Sequence, residues 1–527
     1  MDSSRLLAKY ACTVKLRGGV NILYTIHLRI VKKGVSGRSR HRVRKREKFP
    51  MCYNSRQKRT LICVLCGEGL AMSVFDGKRL PISTFKLDVD RMRRGWYSDK
   101  YFHNIVSVLT DLALQGYRFG GTSPDLSDLN LDLANLDIGA IEVEMQWFTR
   151  RKPFAVVVGV DKTLAMLQTC TGFFDSSGEW VDTAAQTEML AVHDGAIAAY
   201  GGDARNVSPV LKVRGRYRDF AMLETPTLGA LTRGSRVATN VYLTLEAAQG
   251  KDVLFFPARF DAHELQAADG YAYHVAVQAH NARYGHNATS LVSTDEQGDW
   301  WGGGGGGTVA HAAIACFLGD TAETMMAFAS ILPPAIPRIA LVDFENDCVG
   351  TSLAVMEKMF MRYRALVDAH KAAEAQKFVL FGVRPDTGAT MRDRSVPPLG
   401  DPKLDNGVNP RLVFALRTAI DNAFEAWNLP MRWMDRARAW CRNVKITVTG
   451  GFTPERIRVF EAMNVPADVY GVGSSLFSNC SEHGTNTDFT ADIVQVKIEG
   501  NWYPMSKIGR RSSENSDLEP VTPLSLA

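Results

Sequence analysis

Short apolar runs of strand type recur along the second half of this chain, each ending in polar or glycine-rich sequence and each followed by a helical stretch. The clearest are Val253-Leu254-Phe255-Phe256, Arg338–Asp343, Phe378–Arg384, Val444–Gly450 and Ala467–Gly471. Near-continuous apolar strands belong in a parallel sheet covered on both faces, because alternation with polar residues would leave one face for water. The stretch 352–371 between two of them sets Met356, Phe360, Tyr363 and Val367 at 4-3-4 spacing, one helical face for packing on the strands. Thr453 and Pro454 open another helix as N-cap and first-turn residue. Repeated strand–helix units allow a parallel β/α barrel or an open doubly wound sheet. The barrel is preferred, because chemically capable residues follow the end of each strand. Before these units, 72–208 mixes helical stretches such as Lys100–Gln115 with apolar runs such as Ala140–Phe148 and Phe154–Val160, and reads as an α/β N-terminal domain. The barrel domain is expected over 209–478, starting from a helix at Thr227–Gln249. Residues 479–527, with Pro504 and a Ser-rich end, read as a return segment and loose tail.

Charge separates a further region. Residues 1–71 carry 17 Lys/Arg against 3 Asp/Glu, which leaves 45 basic and 53 acidic residues in 72–527. The basic run Arg38–Arg46 has the composition of a nucleic-acid or anionic-lipid contact, or of an organellar presequence, although Asp2 fits the last poorly. The reading adopted is a solvated extension or upstream sequence that the native protein lacks, with Met72 as the start, so nucleic acid is not an expected partner. Cys63-x-x-Cys66 lacks a second closely spaced pair, since Cys12 and Cys52 are 40 apart, and zinc is not expected. The nine cysteines are sparse and scattered, which favours a reducing compartment and a cytoplasmic location. No apolar run approaches the roughly 20 residues that span a bilayer.

Several motifs fail. There is no GxxxxGK[ST]; Gly471-Val472-Gly473-Ser474-Ser475 lacks both the third glycine of a dinucleotide fingerprint and the spacing of a nucleophile elbow; and His263-Glu264 has no second His at zincin spacing. What remains suits an anionic, phosphorylated substrate. Thr449-Gly450-Gly451-Phe452 lies between a strand and a helix start, where backbone N–H groups and the helix dipole favour phosphate, and Gly471, Gly473 and Ser474 repeat the arrangement one strand later. Glycines that merely close tight turns are the simpler reading of either loop alone. Arg259 and Arg384 are permanently charged, bidentate anion ligands. Asp343 and Asp386 suit sugar hydroxyls or a Mg2+ carried by a pyrophosphate. His311 follows six glycines, Gly302–Gly307, and suits nucleophilic or acid–base work on phosphate.

Taken in order, from about Met72 to about Arg511, these strand ends resemble the nicotinate/nicotinamide phosphoribosyltransferase family. The resemblance is carried by Asp99-Lys100-Tyr101, Phe256–Arg259, Thr294-Asp295, Thr308-Val309-Ala310-His311, Asp343, Arg384–Gly388, and the loops Thr449–Phe452 and Gly471–Ser475. It implies an incomplete β/α barrel with an α/β N-terminal domain, working as a homodimer with shared sites. It also implies that a pyridine nitrogen displaces pyrophosphate from phosphoribosyl pyrophosphate (PRPP), giving a mononucleotide on the route to NAD. Phe256, with Tyr101 of a second copy, would sandwich the ring, and Arg259 would meet its carboxylate or carboxamide. Asp99 and Asp295 are further substrate-site positions. Arg384 would hold the pyrophosphate, Asp343 and Asp386 the ribose and Mg2+, and the glycine loops the 5′-phosphate. ATP would phosphorylate His311. Nicotinate is the expected base, with nicotinamide as the alternative, because a carboxylate at Asp295 would favour an amide. Quinolinate, or a catalytically silent binding subunit, are further alternatives. The chain departs from the family in its six-glycine run, where a basic residue is expected, in Ser474, where the nicotinamide branch has Gly, and in lacking an Arg over Cys480–Thr490.

Overall fold

A computed structural model describes residues 77–129 and 131–523 in full, and of the preceding segment the backbone of 8–15 and 21–28. Two units are distinguished, Met1–Thr60 and Leu61–Ala527. In the first, Ala8–Lys15 pairs antiparallel with Asn21–Leu28. The expectations for the basic run, for the cysteines at 12, 52, 63 and 66, and for a solvated extension lie outside the described residues.

The second unit opens with helix α1 (Lys100–Leu114), strand β1 (Glu142–Thr149), helix α2 (Val160–Cys170) and strands β2 (Glu188–Ala191) and β3 (Leu211–Arg216). Helix α3 (Glu224–Ala247) then leads into β4 (Asp252–Phe255), and α4 (Gln266–Tyr284) follows it. The glycine run comes next, before α5 (His311–Cys316) and α6 (Thr321–Ile331). Three strand–helix units follow: β5 (Ile339–Leu341) with α7 (Cys348–Asp368), β6 (Gly382–Arg384) with α8 (Pro410–Asn422) and α9 (Met431–Asn443), and β7 (Lys445–Val448) with α10 (Pro454–Ala462). Strand β8 (Val469–Val472) is the last of this set.

Strands β4 to β8 form one parallel sheet in the order β4-β8-β7-β6-β5. Their side chains are buried as the apolar runs require: Val253, Phe255, Leu341, Val383, Ile446, Val448, Tyr470 and Val472 are all inaccessible. Beyond β4 the curvature continues through two single parallel bridges, Phe255 to Val292 and Val292 to Gly305. The barrel is therefore incomplete, and the glycine run lies along its seam. On α7 the packed face is Met356, Phe360 and Tyr363 as expected, but Leu366 takes the fourth buried place and Val367 is only half-buried. A straight helix turns 3.6 residues per turn, so the stripe drifts off a strict repeat. Phe360 stacks on Trp427 at 4.8 Å with Trp433 and Trp440 edge-on, which makes this helix the anchor of the outer layer.

The end of the chain differs from a loose tail. Strands β9 (Phe489–Ile498), β10 (Asn501–Pro504) and β11 (Glu519–Pro520) return to the N-terminal strands. Together they make an antiparallel sheet in the order β10-β9-β1-β3-β2-β11. Strand β9 runs beside β1 from Phe489 opposite Thr149 to Val496 opposite Val143, with one bulge between Ile493 and Gln495. The Ser-rich stretch is held too: Ser512 Oγ donates to Glu144, and the Ser513 N–H to Gln146.

Candidate active site

Each barrel strand ends in one of the groups singled out above, and the register of the sheet decides which of them meet. After β4 comes Phe256, half-buried, its N–H donating to the Val472 carbonyl at 2.9 Å. Arg259 is exposed and lies 5.5 Å over the Phe260 ring. After β5 comes Asp343, whose side chain is only 7% exposed. His311 Nε2 lies 3.1 Å from both of its carboxylate oxygens. Burial raises the Asp343 pKa above the usual carboxylate range; His311 opposes the rise, and Asp386 adds to it.

Arg384 ends β6. Its Nη1 donates to Thr449 Oγ1 at 3.3 Å and lies 3.5 Å from Asp386 Oδ2, while Nη2 donates to the Val309 carbonyl at 3.0 Å. The Nε is buried and has no partner among the described residues. Burial lowers the Arg384 pKa; Asp386 and Asp343 oppose the shift, and Arg259 adds like-charge repulsion. Two cations and two carboxylates thus share this rim, and the Arg259–Arg384 repulsion is of the kind that a bound anion relieves.

The glycine loops close the rim. Gly450 and Gly451 both have left-handed backbone, φ +95° and +70°, which β-carbons disfavour. Their carbonyls accept from Arg456 Nη1 at 2.6 and 3.3 Å, so the loop is braced from its carbonyl side. Thr453 caps α10 immediately after it, accepting the Arg456 N–H at 3.3 Å. At Gly471 a β-carbon would lie 2.5 Å from Thr449 Cγ2 and 3.1 Å from the Phe256 ring, so only glycine lets these side chains share the barrel mouth. Gly473 is likewise crowded by Phe260. Ser474 is exposed at the start of the next turn, and Ser475 Oγ ties this loop to the first through the Phe452 carbonyl at 2.9 Å. Within the barrel lies a largely apolar cavity of about 150 Å3 that reaches down to the strand starts: Asp252, Ile339 and Val469 line it there, with Phe256, Val292 and Thr308, whereas Arg259, Asp343, Arg384 and Asp386 do not line it. A cavity of that size accommodates one six-membered aromatic ring.

Three of the residues singled out from the sequence are held elsewhere. Asp295 is exposed, and its Oδ1 accepts the Gly305 N–H at 2.9 Å, which commits it to the glycine run. Asp99 accepts from Tyr101 Oη at 3.1 Å and from Thr225 Oγ1, at the start of α3, at 3.0 Å. The Tyr101 ring is 62% exposed, and among the described residues no hydrogen bond or ring contact joins Asp99 or Tyr101 to the rim groups. Sequence reasoning missed Arg456 as a brace and the Val309 carbonyl as an Arg384 partner. Neither had a signal, since backbone acceptors carry no residue signature. Among the described residues no group of three or more His, Cys, Asp or Glu side chains could hold a metal ion, and no helix is long and apolar enough to cross a membrane.

No protein-family model matches the sequence, and no curated protein does. Solved structures do. A nicotinate-nucleotide pyrophosphorylase from Pyrococcus furiosus is 24% identical, covering 82% of this chain and 85% of its own, with a TM-score of 0.51. Human nicotinic acid phosphoribosyltransferase is 15% identical over 69% of this chain and 72% of its own, at a TM-score of 0.39. NadC from Streptococcus pyogenes is 14% identical over 74% and 95%, at 0.37. The chain has the fold of the Pyrococcus furiosus enzyme.

Proposed function

We propose that the protein is a phosphoribosyltransferase of NAD biosynthesis and that its base is nicotinate. The observation that carries this reading is the rim itself: Arg384, Asp386, Asp343 and two braced glycine loops meet at the ends of the parallel strands, beside Phe256. In the reaction the pyridine nitrogen forms a bond to ribose C1 of PRPP as the C1–O bond to pyrophosphate breaks, and the electron pair leaves on the pyrophosphate oxygen. The transition state is cation-like at C1 and gains negative charge on the leaving group. Fixed carboxylates near the ribose and a guanidinium on the pyrophosphate supply the matching field. The backbone N–H groups of the two glycine loops suit the 5′-phosphate. Asp343 and Asp386 fit a Mg2+ that arrives with the pyrophosphate, since Mg2+ takes one or two protein carboxylates and completes its shell with phosphate oxygens and water.

Nicotinate is favoured over nicotinamide because Arg259, a permanent cation just past β4, suits a carboxylate, whereas the Asp295 carboxylate lies at the glycine run with its Oδ1 on the Gly305 N–H. His311 is read as the acceptor of a phosphoryl group from ATP; what supports this is its contact with Asp343, which would orient its imidazole. The exposed Tyr101 ring suits a homodimer in which each copy completes its partner's base site.

The test is mononucleotide formation from PRPP by the full chain, with nicotinate, nicotinamide and quinolinate offered separately, with and without ATP, beside His311→Ala. Turnover with nicotinate, stimulated by ATP in the wild type and not in the variant, is the expected result. Turnover with nicotinamide alone would overturn the base assignment. Turnover with quinolinate and release of CO2 would make the reaction a decarboxylating one. A folded protein inactive with all three is a binding subunit.

A further inference from the structure

We infer that Thr449 is a positioning residue: its buried hydroxyl, shared by Arg384 and Asp386, sets the leaving-group cation and the ribose-side carboxylate in one fixed geometry. The inference rests on the phosphoribosyl-transfer reading and adds to it a side chain with no contact to substrate of its own.

Thr449 lies just past the end of β7 and is 4% exposed. A hydroxyl has one proton to give and two lone pairs. Asp386 Oδ1, at 2.7 Å, is the nearer and charged acceptor and takes the proton; the Pro385 carbonyl, at 3.2 Å, is the weaker alternative. Arg384 Nη1 donates into the remaining lone pair at 3.3 Å. The direct Arg384–Asp386 approach is longer, 3.5 Å. Arg384 and Asp386, two residues apart past the end of β6, are an ion pair at 3.5 Å, and without the bridging hydroxyl they would close further on each other. The hydroxyl holds them apart and aims them.

Two features fix the hydroxyl. The Thr449 N–H donates to the Pro385 carbonyl at 3.3 Å, which ties the ends of β6 and β7 together. On its other side, the Thr449 methyl fits the space left by Gly471, where a β-carbon would approach it to 2.5 Å. The rotamer is thereby set by the second glycine loop, so the groups for pyrophosphate, ribose and 5′-phosphate are linked through one side chain. The Arg384 Nε is buried and has no partner among the described residues, so the guanidinium meets an anion through its Nη groups.

Thr449→Val keeps the shape and removes the hydroxyl; Thr449→Ser keeps the hydroxyl and removes the methyl. Outer partners that orient metal-ligating side chains change affinity or activity by about 10–100-fold when removed, and the same order is expected for a hydroxyl that orients this Arg and Asp. The expected result for Thr449→Val is therefore a fall of about 10–100-fold in kcat/KM for PRPP, weaker calorimetric binding of inorganic pyrophosphate by a similar factor, and an unchanged KM for nicotinate. Thr449→Ser, which keeps the hydroxyl, should lose far less than Thr449→Val. Parity of Thr449→Val with the wild type overturns the inference. So does an equal loss in both variants, or a parallel rise in the KM for nicotinate, because either is the mark of a merely structural residue. A wild type that neither turns over nor binds PRPP removes the underlying reading, and this inference with it; a wild type that does both isolates the outcome to Thr449.

Discussion

His280 sits at the far end of the barrel from the rim, 1% exposed among Tyr242, Tyr284 and His286, with ring centroids 5.5, 4.9 and 5.2 Å away. Its Nδ1 has no partner among the described residues. Burial pushes its pKa down to about 4, with His286 adding to the shift. An unfolded histidine titrates near about 6.5, so between these values the unfolded chain binds more protons than the folded one. Its contribution to stability is complete above about pH 6.5 and is lost as pH falls towards about 4, at up to about 1.4 kcal/mol per pH unit. Thermal unfolding of the wild type should show this slope between pH 6.5 and 4.5, and His280→Phe should flatten it; an equal slope in both would assign the acid sensitivity to other groups. Legibility at this scale follows the backbone. Arg384 and Asp343 were readable because each ends an apolar strand, and strand ends face the rim. Thr449 lay within a motif already singled out for its glycines, yet its hydroxyl partners are set by the register of β6 against β7, which no local pattern records. Asp295 shows the converse, a residue singled out by its neighbours whose carboxylate turns out to hold a loop.

The glycine run, which offers no side chain from which a fold could be read, is seated through its backbone groups. Gly305 bridges to Val292, the Gly306 N–H donates to the Val292 carbonyl at 2.8 Å, and the Gly303 N–H donates to Gly298. Not all six positions require glycine. A β-carbon at Gly305 would lie 2.7 Å from the Thr294 backbone, whereas at Gly307 nothing lies within 4 Å. Gly305→Ala should therefore lower Tm by several degrees, because the clash is with backbone that cannot move aside. Gly307→Ala should leave Tm unchanged or raise it slightly, since removing a glycine where space allows restricts the unfolded chain by about 0.4–1 kcal/mol. The reverse order in thermal unfolding would show that the run is not seated along the seam. Helices were more legible than this segment. The apolar stripe on α7 and the Thr453–Pro454 start of α10 agree with the structure because a helix is specified by nearby residues, whereas the seat of a side-chain-free segment is specified by whatever lies opposite it.

For the whole molecule, the last 35 described residues return to the first domain. Strand β9 covers β1, and the Gln146 amide donates to the Arg511 carbonyl at 3.0 Å. The alternating character of Phe489–Ile498 was present in the sequence, but its partner lies some 340 positions earlier, and non-local pairing leaves no local trace. A chain ending at residue 488 should lose this cover, exposing the edge of β1 and the half-core of Val143, Met145 and Trp147. We expect its Tm to fall by more than about 10 °C, or soluble expression to be lost; at about 2–4 °C per kcal/mol for a domain of this size, a smaller fall would make the return segment an accessory. Phosphoribosyl transfer, if assayed in that chain, is expected to fail for want of a folded support and not for loss of a rim residue.

The seam beside β4 has a consequence for how such a molecule yields. All five parallel strands are zipped to neighbours over two to four residues, but past Phe255 the cylinder is stitched by single bridges to Val292 and then Gly305. A wall fastened at isolated points parts there before it parts elsewhere, because opening it breaks few backbone bonds. The two groups that the far edge of that slit presents to the rim are the Val309 carbonyl on Arg384 and the His311 imidazole on Asp343. Local breathing of the barrel and uncovering of the charged rim are then the same event, and a bound polyanion that bridged Arg384 on one side to His311 on the other would act as the missing rivet.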